Sequence, residues 1–414
     1  MDKDTVAEAY IYLLGRALVV RQEHIDRRDP AFAYNRVKYN PLSSADFVNP
    51  NFDVAYLESW IAVDEDHPVI LEVPEIKHRY YTAQILDEWG EVIANINERT
   101  FPSKPYGRFA LCRPGSRPRA PEDAARIDLH SSKAKLLGRV EIKGDPNGAV
   151  VLQKQFRLTP QGLPFAPAPP ELPNFPNDIL IGAELFEYGE SLLRSAFDVS
   201  PRAADMQQKV HAVAAHIGSS AAARMAVDRQ IRDKVVPAFK EYVFTKSAAQ
   251  HEGWIGGSSH VGNYNGDYWL RTAANYAGIW ANTPDEVVYF TTNRDAEGER
   301  LDGGETYLID FPPDRLPDKV VDGYWSMVLV DDINYRVVKN PLNRFNLSNR
   351  SPLKKNTDGS LTIALGPKQV AGVPETNWLP SPPGKPYSLT FRTYVPKAPV
   401  KHGQWAPPGV THLH

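Results

Sequence analysis

The sequence predicts a mainly β protein with a helical middle segment, that is, an α+β chain. Short β-branched and aromatic runs, separated by Pro, Gly and Asp, fill residues 54–158 and recur over 286–395. The stretch between these two blocks has helical periodicity instead. A length of 414 residues is too great for one ordinary core, so two domains are expected.

Residues 1–30 are predicted to form one amphipathic helix. Thr5-Val6-Ala7-Glu8 has the spacing of a capping box, in which Thr and Glu side chains satisfy the first backbone N–H groups. Apolar residues then repeat at helical spacing: Tyr10, Leu13, Leu14, Ala17 and Leu18.

The next block, 31–158, reads as an antiparallel sandwich or barrel. Its predicted strands are Val54–Val63, Val69–Val73, Arg79–Leu86, Tyr106–Leu111, Arg139–Ile142 and Ala149–Leu158. The proline-rich stretch that follows, 159–177, predicts a stiff extended connector.

A helical segment is expected over 178–250. Residues 179–197 have helical periodicity, Ser200-Pro201 has the residues of a cap and first turn, and Pro237 should kink a third helix over 221–247. Residues 251–414 then form a second β domain, with strands expected at 286–292, 306–311, 324–330, 335–338, 361–365 and 387–395.

Composition excludes several classes of protein. A formal net charge of −3 disfavours binding to nucleic acid or to anionic membranes, and no run of about 18 apolar residues suggests membrane insertion. The single cysteine, Cys112, excludes an intrachain disulfide and reads as a buried inert thiol. Without a signal-peptide pattern the chain reads as cytoplasmic, or as periplasmic if a signal peptide has been removed.

Motifs for common cofactors are missing from the sequence. It contains no P-loop, no G-x-G-x-x-G after a strand, no G-x-S-x-G elbow and no H-E-x-x-H. We therefore predict no organic cofactor and assign no metal ligands. A metal ion is not excluded, because sandwich sites draw their ligands from distant strands.

The first candidate site lies around the start of the N-terminal β block. Asp53, Tyr56 and Glu58 would place two carboxylates and a phenol on one surface, which suits general acid/base catalysis, and we take Asp53 and Tyr56 as catalytic candidates. The expected substrate-binding residues nearby are Asn51, Arg79, Tyr81 and Arg99. The structural alternative is that Asn51 and Asp53 cap a turn and that Asp53 pairs with an arginine to close the domain.

Further candidates lie toward the C-terminus. Three of them are expected to bind substrate: Trp325 offers a flat aromatic surface, and Arg344 and Arg392 offer guanidinium groups that can bind a carboxylate. Asn340 and Asn377 are instead interpreted as strand-corner residues. The Gly- and aromatic-rich run 254–269 reads as a loop covering a ligand cleft, and its His260 is a third catalytic candidate.

The chain resembles two families that commonly occur together, domains of unknown function 1254 and 1214. The N-terminal resemblance lies in Asn49-Pro50-Asn51-Phe52-Asp53-Val54-Ala55-Tyr56, and the C-terminal one in Asn340-Pro341-Leu342-Asn343-Arg344-Phe345, Asn377-Trp378-Leu379-Pro380 and Phe391-Arg392-Thr393-Tyr394. The resemblance implies two jelly-roll-like antiparallel β-sandwiches joined through helices. It brings no settled reaction with it.

The leading hypothesis is a cofactor-independent enzyme acting by acid/base chemistry on a small, partly apolar or aromatic metabolite, as a lyase, isomerase or hydrolase. The alternative is a non-catalytic carbohydrate- or glycolipid-binding protein. The expected partner is a small-molecule ligand, and a homo-oligomer is a second possibility.

Overall fold

The computed structural model describes residues 2–42 and 50–413. Its chain divides into two compact units. The described residues of the first unit fall within Met1–Pro41, Ala55–Lys240 and His260–Ala281. Those of the second fall within Leu42–Val54, Glu241–Ser259 and Asn282–His414.

Eight α-helices occur in the described residues: α1 Lys3–Asp26, α2 Pro146–Gln153, α3 Gly189–Ser195, α4 Ala203–Ser219, α5 Ala221–Gln230, α6 Val236–Thr245, α7 Tyr268–Ala277 and α8 Ala398–Lys401. A π-helical turn at Ile231–Val235 joins α5 to α6. Pro237 lies two residues after this turn, in α6, and its missing N–H explains why the regular helical bonding is interrupted here.

The first unit holds two sheets. Their strands are β1 Lys38–Tyr39, β2 Val54–Ala62, β3 Val69–Val73, β4 Tyr81–Leu86, β5 Val92–Ile96, β6 Gly107–Cys112, β7 Ala125–Asp128, β8 Lys133–Glu141 and β9 Arg157–Pro160. One sheet has the order β1-β2-β8-β4-β5 and the other β7-β6-β3-β9. Every residue of β8 is buried, so both faces of the five-stranded sheet are covered.

The second unit is a sandwich of a six-stranded and a four-stranded sheet. Its strands are β10 Ala249–His251, β11 Trp254–Gly256, β12 Val287–Thr292, β13 Tyr307–Phe311, β14 Trp325–Asp331, β15 Asn346–Ser348, β16 Leu361–Gly366, β17 Trp378–Pro380, β18 Tyr387–Tyr394 and β19 Thr411–His412. The sheet orders are β10-β11-β12-β18-β14-β15 and β17-β16-β13-β19. Apolar side chains from both sheets, such as Phe391 and Ile363, share one core. The structure thus confirms the mixed, mainly β fold class with its helical middle segment.

Helix α1 differs from its prediction in two ways. It begins at Lys3, because the Asp2 carboxylate accepts the Thr5 N–H at 3.0 Å, so Thr5 is not the cap. It is also buried on nearly all sides rather than amphipathic. The Thr272 hydroxyl of α7 donates to the Ile11 carbonyl at 2.9 Å, and a Cβ at Gly15 would lie 2.5 Å from that hydroxyl oxygen. Glycine therefore permits the close approach of α1 and α7.

Two predicted strands are wrong. Residues 149–158 begin in α2, because the Asp145 carboxylate accepts the Gly148 N–H at 2.9 Å and Pro146 fits the first helical turn. Residues 335–338 contribute only an isolated bridge between Val330 and Val337. The apolar runs at both places favour burial, but they do not determine backbone conformation.

Candidate functional site

One face of the five-stranded sheet carries charged groups that are almost completely buried. Because side chains alternate along a strand, Glu58 and Trp60 of β2 share a face, as do Lys133 and Lys135 of β8. Both lysines are only 1 % exposed. Buried ammonium groups require partners, and carboxylates of α1 and β2 supply them.

Lys135 lies between two carboxylates. Its Nζ donates to Asp26 Oδ2 at 2.9 Å and to Glu58 Oε2 at 2.7 Å. Burial alone would lower the pKa of this ammonium, but Asp26 and Glu58 raise the pKa above its ordinary value. Lys135 is therefore a fixed positive charge rather than an amine nucleophile.

Aromatic rings and neutral donors complete this triad of Asp26, Lys135 and Glu58. The Lys135 ammonium lies 5.2 Å from the ring centre of Trp60 and 5.8 Å from that of Trp280. The indole of Trp60 donates to Asp26 Oδ2 at 2.8 Å, and the Asn40 amide donates to Glu58 Oε1 at 3.0 Å. These contacts fix both carboxylates in position.

A pocket of about 170 Å³ opens onto the triad. Phe32, Val37 and Trp60 give it apolar walls, and the triad side chains line it as well. Asp29 and Lys38 also line the pocket, and these two exposed side chains form an ion pair of 3.0 Å. The site thus places two carboxylates and one ammonium group, all largely shielded from water, beside a cavity with apolar walls.

A second, fully buried charge cluster lies on the same sheet face. Lys133 Nζ donates to Glu23 at 2.7 Å and lies 3.5 Å from Glu88 Oε1, which in turn pairs with Arg16 at 3.3 Å. The Tyr34 hydroxyl donates to Glu23 at 2.6 Å. Burial raises the pKa of the Glu88 carboxyl, although Arg16 and Lys133 oppose that rise.

The N-terminal candidates of the first unit differ in their partners. The Arg139 guanidinium lies 5.5 Å from the ring centre of Tyr56. Arg79 binds the Glu141 carbonyl at 3.0 Å and pairs with Asp145 at 3.0 Å. In contrast to Arg79, Tyr81 and Arg99 are neighbours, because Arg99 donates to the Tyr81 carbonyl at 3.0 Å. The Tyr81 hydroxyl donates to the Pro105 carbonyl at 3.0 Å, and burial raises the pKa of that hydroxyl.

Three other candidates meet in the second unit, where residues 50–53 form a strap across the six-stranded sheet. The Arg392 guanidinium donates to the Pro50 carbonyl at 2.9 Å. The Asn51 amide donates to the hydroxyls of Tyr324 at 2.8 Å and Tyr394 at 2.7 Å, whose rings stack 4.2 Å apart. Asn49 of the family motif lies outside the described residues.

Asp53 ends this strap with both carboxylate oxygens bound. Ser348 Oγ donates to Oδ1 at 2.8 Å, and Asn346 Nδ2 donates to Oδ2 at 2.9 Å. Asn51 Oδ1 accepts the Asp53 N–H at 2.8 Å, as the turn-capping alternative predicted. Phe52 packs against Phe345 at 5.4 Å between ring centres.

We expect Asp53→Asn to lower the free energy of unfolding by about 2 kcal/mol, because an amide would place a donor against the Asn346 amide or the Ser348 hydroxyl. Urea unfolding measures the change. The matched control is Asp314→Asn at an exposed position, expected within about 0.5 kcal/mol of the parent. Equal midpoints for the two variants would show that the strap contacts contribute little stability.

The remaining candidates occupy different environments. Trp325 is fully buried, stacks 5.3 Å from Phe391 and donates its indole N–H to Asp318 at 2.9 Å. Arg344 binds the Trp378 carbonyl at 2.8 Å and the Glu375 carboxylate at 2.8 Å. His260 is exposed, in a turn of the first unit.

Sequence reasoning considered Glu58 but missed Asp26 and Lys135. One usable signal was present: Lys133 and Lys135 alternate with apolar residues in a run of strand-like pattern. Glu23 and Asp26 are spaced three apart on a helix and so share a face. Charges on facing elements with matched spacing indicate a buried ion network.

Neither metal ligands nor membrane spans emerge from the described part of the chain. Residues 2–42 and 50–413 contain no cluster of three or more His, Cys, Asp or Glu side chains arranged for a metal ion. No helix within those ranges is long and apolar enough to cross a bilayer. His414 lies outside them.

The chain has two β-rich parts, and a family model matches each of them. Residues 31–160 match the family described as a protein of unknown function, DUF1254, and residues 286–398 match the one described likewise as DUF1214. The chain therefore carries a DUF1254 domain followed by a DUF1214 domain, which confirms the resemblance found in the sequence.

Among solved structures, the chain is similar to the VPA0106 protein from Vibrio parahaemolyticus. The two are 19 % identical, each chain is covered completely, and the TM-score is 0.63, which shows a shared fold. An uncharacterized protein from Burkholderia cenocepacia is 13 % identical over 98 % of this chain and 88 % of that one, with a TM-score of 0.46. No curated protein matches the chain.

Proposed function

We propose that the protein is an enzyme that acts by acid/base chemistry on a small, partly apolar or aromatic metabolite bound in the pocket beside Lys135. One observation carries the proposal: a buried lysine lies between Asp26 and Glu58 where those three side chains line an aromatic-walled cavity. Buried charges held at a pocket are typical of catalytic sites.

Each member of the triad has a chemical role in the proposal. Glu58 would act as the general base that takes a proton from the substrate or from a water molecule. Lys135, held in its charged form, would stabilise the negative charge that develops as the proton leaves. Asp26 would keep the ammonium in place, since it accepts from both Lys135 and Trp60. These roles suit a lyase, isomerase or hydrolase.

The size and lining of the pocket support the substrate class. A cavity of about 150 Å³ is enough to hold benzene, so about 170 Å³ admits a molecule of one ring or similar bulk. Phe32 and Trp60 provide flat apolar surfaces for it. The alternative of carbohydrate binding relied partly on Trp325, which is 0 % exposed and so offers no surface for a sugar.

We expect Glu58→Gln to lower turnover at least 100-fold while leaving the affinity for the ligand within a few-fold, because the amide preserves shape but is not a base. Native mass spectrometry of the purified protein would first identify any retained small molecule. Turnover of that molecule and of close analogues would then be compared between the parent and the variant.

Glu122→Gln, at an exposed carboxyl of the same unit, is the matched control and should keep full activity. Full turnover by Glu58→Gln would contradict the role given to Glu58. A retained ligand that the parent protein binds but never converts would support the non-catalytic binding alternative.

A further inference from the structure

One arginine at the pocket beside Lys135 has no partner within the described chain. Arg36 lines this pocket, and its side chain is exposed. In residues 2–42 and 50–413, no acceptor receives a hydrogen bond from its guanidinium and no carboxylate forms an ion pair with it. On the basis of the function proposed above, we propose that the substrate of this pocket carries a carboxylate group and that Arg36 binds it.

The backbone on both sides of Arg36 is fixed against β2. The Asn35 N–H donates to the Trp60 carbonyl at 2.8 Å, and the Asn35 side chain exchanges two hydrogen bonds with the Ala62 backbone, at 2.8 and 2.9 Å. Asn35 has a φ of 61°, a left-handed conformation that asparagine adopts more readily than most residues. Lys38 then begins β1, which pairs with β2. These contacts hold the base of the Arg36 side chain beside the pocket.

Asp29 lines the same pocket but does not bind the Arg36 guanidinium. Its Oδ1 accepts the Ala31 N–H at 2.9 Å, and its Oδ2 pairs with Lys38 Nζ at 3.0 Å. The Ala31 N–H and Lys38 are the main causes of a lowered pKa for the Asp29 carboxyl, and Arg36 is a smaller cause. Arg36 therefore acts on this carboxylate through space, without a direct contact.

The less exposed carboxylates of the pocket are bound by other donors as well. Lys135 donates to Asp26 Oδ2 and to Glu58 Oε2. The other oxygen of Asp26 accepts from the Gln22 amide at 2.7 Å, and that of Glu58 accepts from the Asn40 amide at 3.0 Å. Every carboxylate oxygen that lines the pocket thus accepts a hydrogen bond within the protein. Since a guanidinium has five N–H donors, a ligand with acceptor oxygens is the complement that Arg36 lacks.

The distribution of charge selects a monocarboxylate. The more exposed charged side chains that line the pocket, Arg36, Lys38 and Asp29, sum to +1, whereas the less exposed triad sums to −1. A carboxylate group of charge −1 balances the exposed edge, and the triad disfavours an anion beside it. The planar fork of arginine binds a carboxylate through two parallel hydrogen bonds. A substrate held in this way would place its apolar part between the walls formed by Phe32 and Trp60.

Benzoate and benzamide test the proposal, because they share one shape and differ in charge. Isothermal titration calorimetry at constant ionic strength measures the affinity for each. We expect one benzoate to bind per chain, at least about ten-fold more tightly than benzamide. Arg36→Gln should reduce the affinity for benzoate to that for benzamide and leave the affinity for benzamide as in the parent. The melting temperature should not change, because Arg36 is exposed and has no partner in the described chain.

The matched control is Arg119→Gln, at an exposed arginine of the same unit that does not line the pocket, and it should keep the preference for benzoate. Equal affinities of the parent for the two compounds would overturn the carboxylate assignment and leave the aromatic substrate class standing. A preference for benzoate that persists in Arg36→Gln would overturn the role of Arg36. The absence of saturable binding for both compounds would contradict the aromatic substrate class itself, and the carboxylate assignment with it.

Discussion

Replacing Lys133 by methionine should lower the free energy of unfolding by about 3–5 kcal/mol, because it leaves buried carboxylates without their shared cation. Glu23 and Glu88 are both 0 % exposed, and the Lys133 ammonium lies within 3.5 Å of each. Methionine retains most of the side-chain volume, so the lost unfolding free energy results from removal of the charge and not from a cavity. Urea unfolding followed by tryptophan fluorescence measures the effect.

A double variant separates charge from packing in this prediction. Adding Glu23→Gln to Lys133→Met removes one of the carboxylates that would be left without a cation. The double variant should therefore lose less unfolding free energy than the two single variants lose in sum. The matched control is Lys355→Met at an exposed position, expected within about 0.5 kcal/mol of the parent. Strict additivity in the double variant would show that Lys133 and Glu23 are not coupled.

The strands that sequence predicted well are those whose own residues determine them. Val69–Val73 was predicted with its observed bounds, since a β-branched apolar run between Pro and Pro has few other conformations. The start of β8 was missed, because Lys133 and Lys135 look like solvent-facing positions. Their burial depends on α1 carboxylates more than 100 residues away, which a local pattern does not contain.

The same distinction applies to the candidate sites. Asn51 and Asp53 were candidates of the N-terminal block and Arg392 was a candidate of the C-terminal block, and the sequence did not show that they would meet or that Ser348 and Asn346 would bind both oxygens of Asp53. The sequence shows which polar residues are present at these positions. Only the folded structure shows their hydrogen-bond partners, and those partners decide whether a residue such as Asp53 holds the strap in place or is available for a reaction.

A third buried network of the first unit should make stability depend on pH. Burial raises the pKa of Glu91 from 4.5 to about 7, although Arg271 opposes that rise. Glu91 Oε2 accepts the Tyr264 N–H at 2.9 Å, and Oε1 lies 3.4 Å from Arg271, which binds Asp198 through two contacts of 2.9 Å. Arg271 is thus shared with a second carboxylate, which limits how far it can favour ionised Glu91.

The sign of the effect follows from proton binding. Between about pH 4.5 and pH 7 the folded protein keeps the Glu91 proton that the unfolded chain has released, so folding is favoured at the acidic end. This contribution is fully present below pH 4.5 and is lost as pH rises through 7, and the shift corresponds to roughly 3 kcal/mol.

Glu91→Gln removes this titration and should therefore flatten the fall in unfolding free energy between pH 5 and pH 8 relative to the parent. The raised pKa of His130, which burial lowers but Asp87 raises more strongly, gives a slope of the same sign. Glu91 contributes to that raised pKa, so Glu91→Gln should also reduce the His130 slope, and the difference between the two pH profiles reports Glu91 together with its effect on His130. Glu122→Gln, at an exposed carboxyl, should keep the parental profile. Parallel profiles for Glu91→Gln and the parent would show that the Glu91 carboxyl titrates alike in the folded and unfolded states.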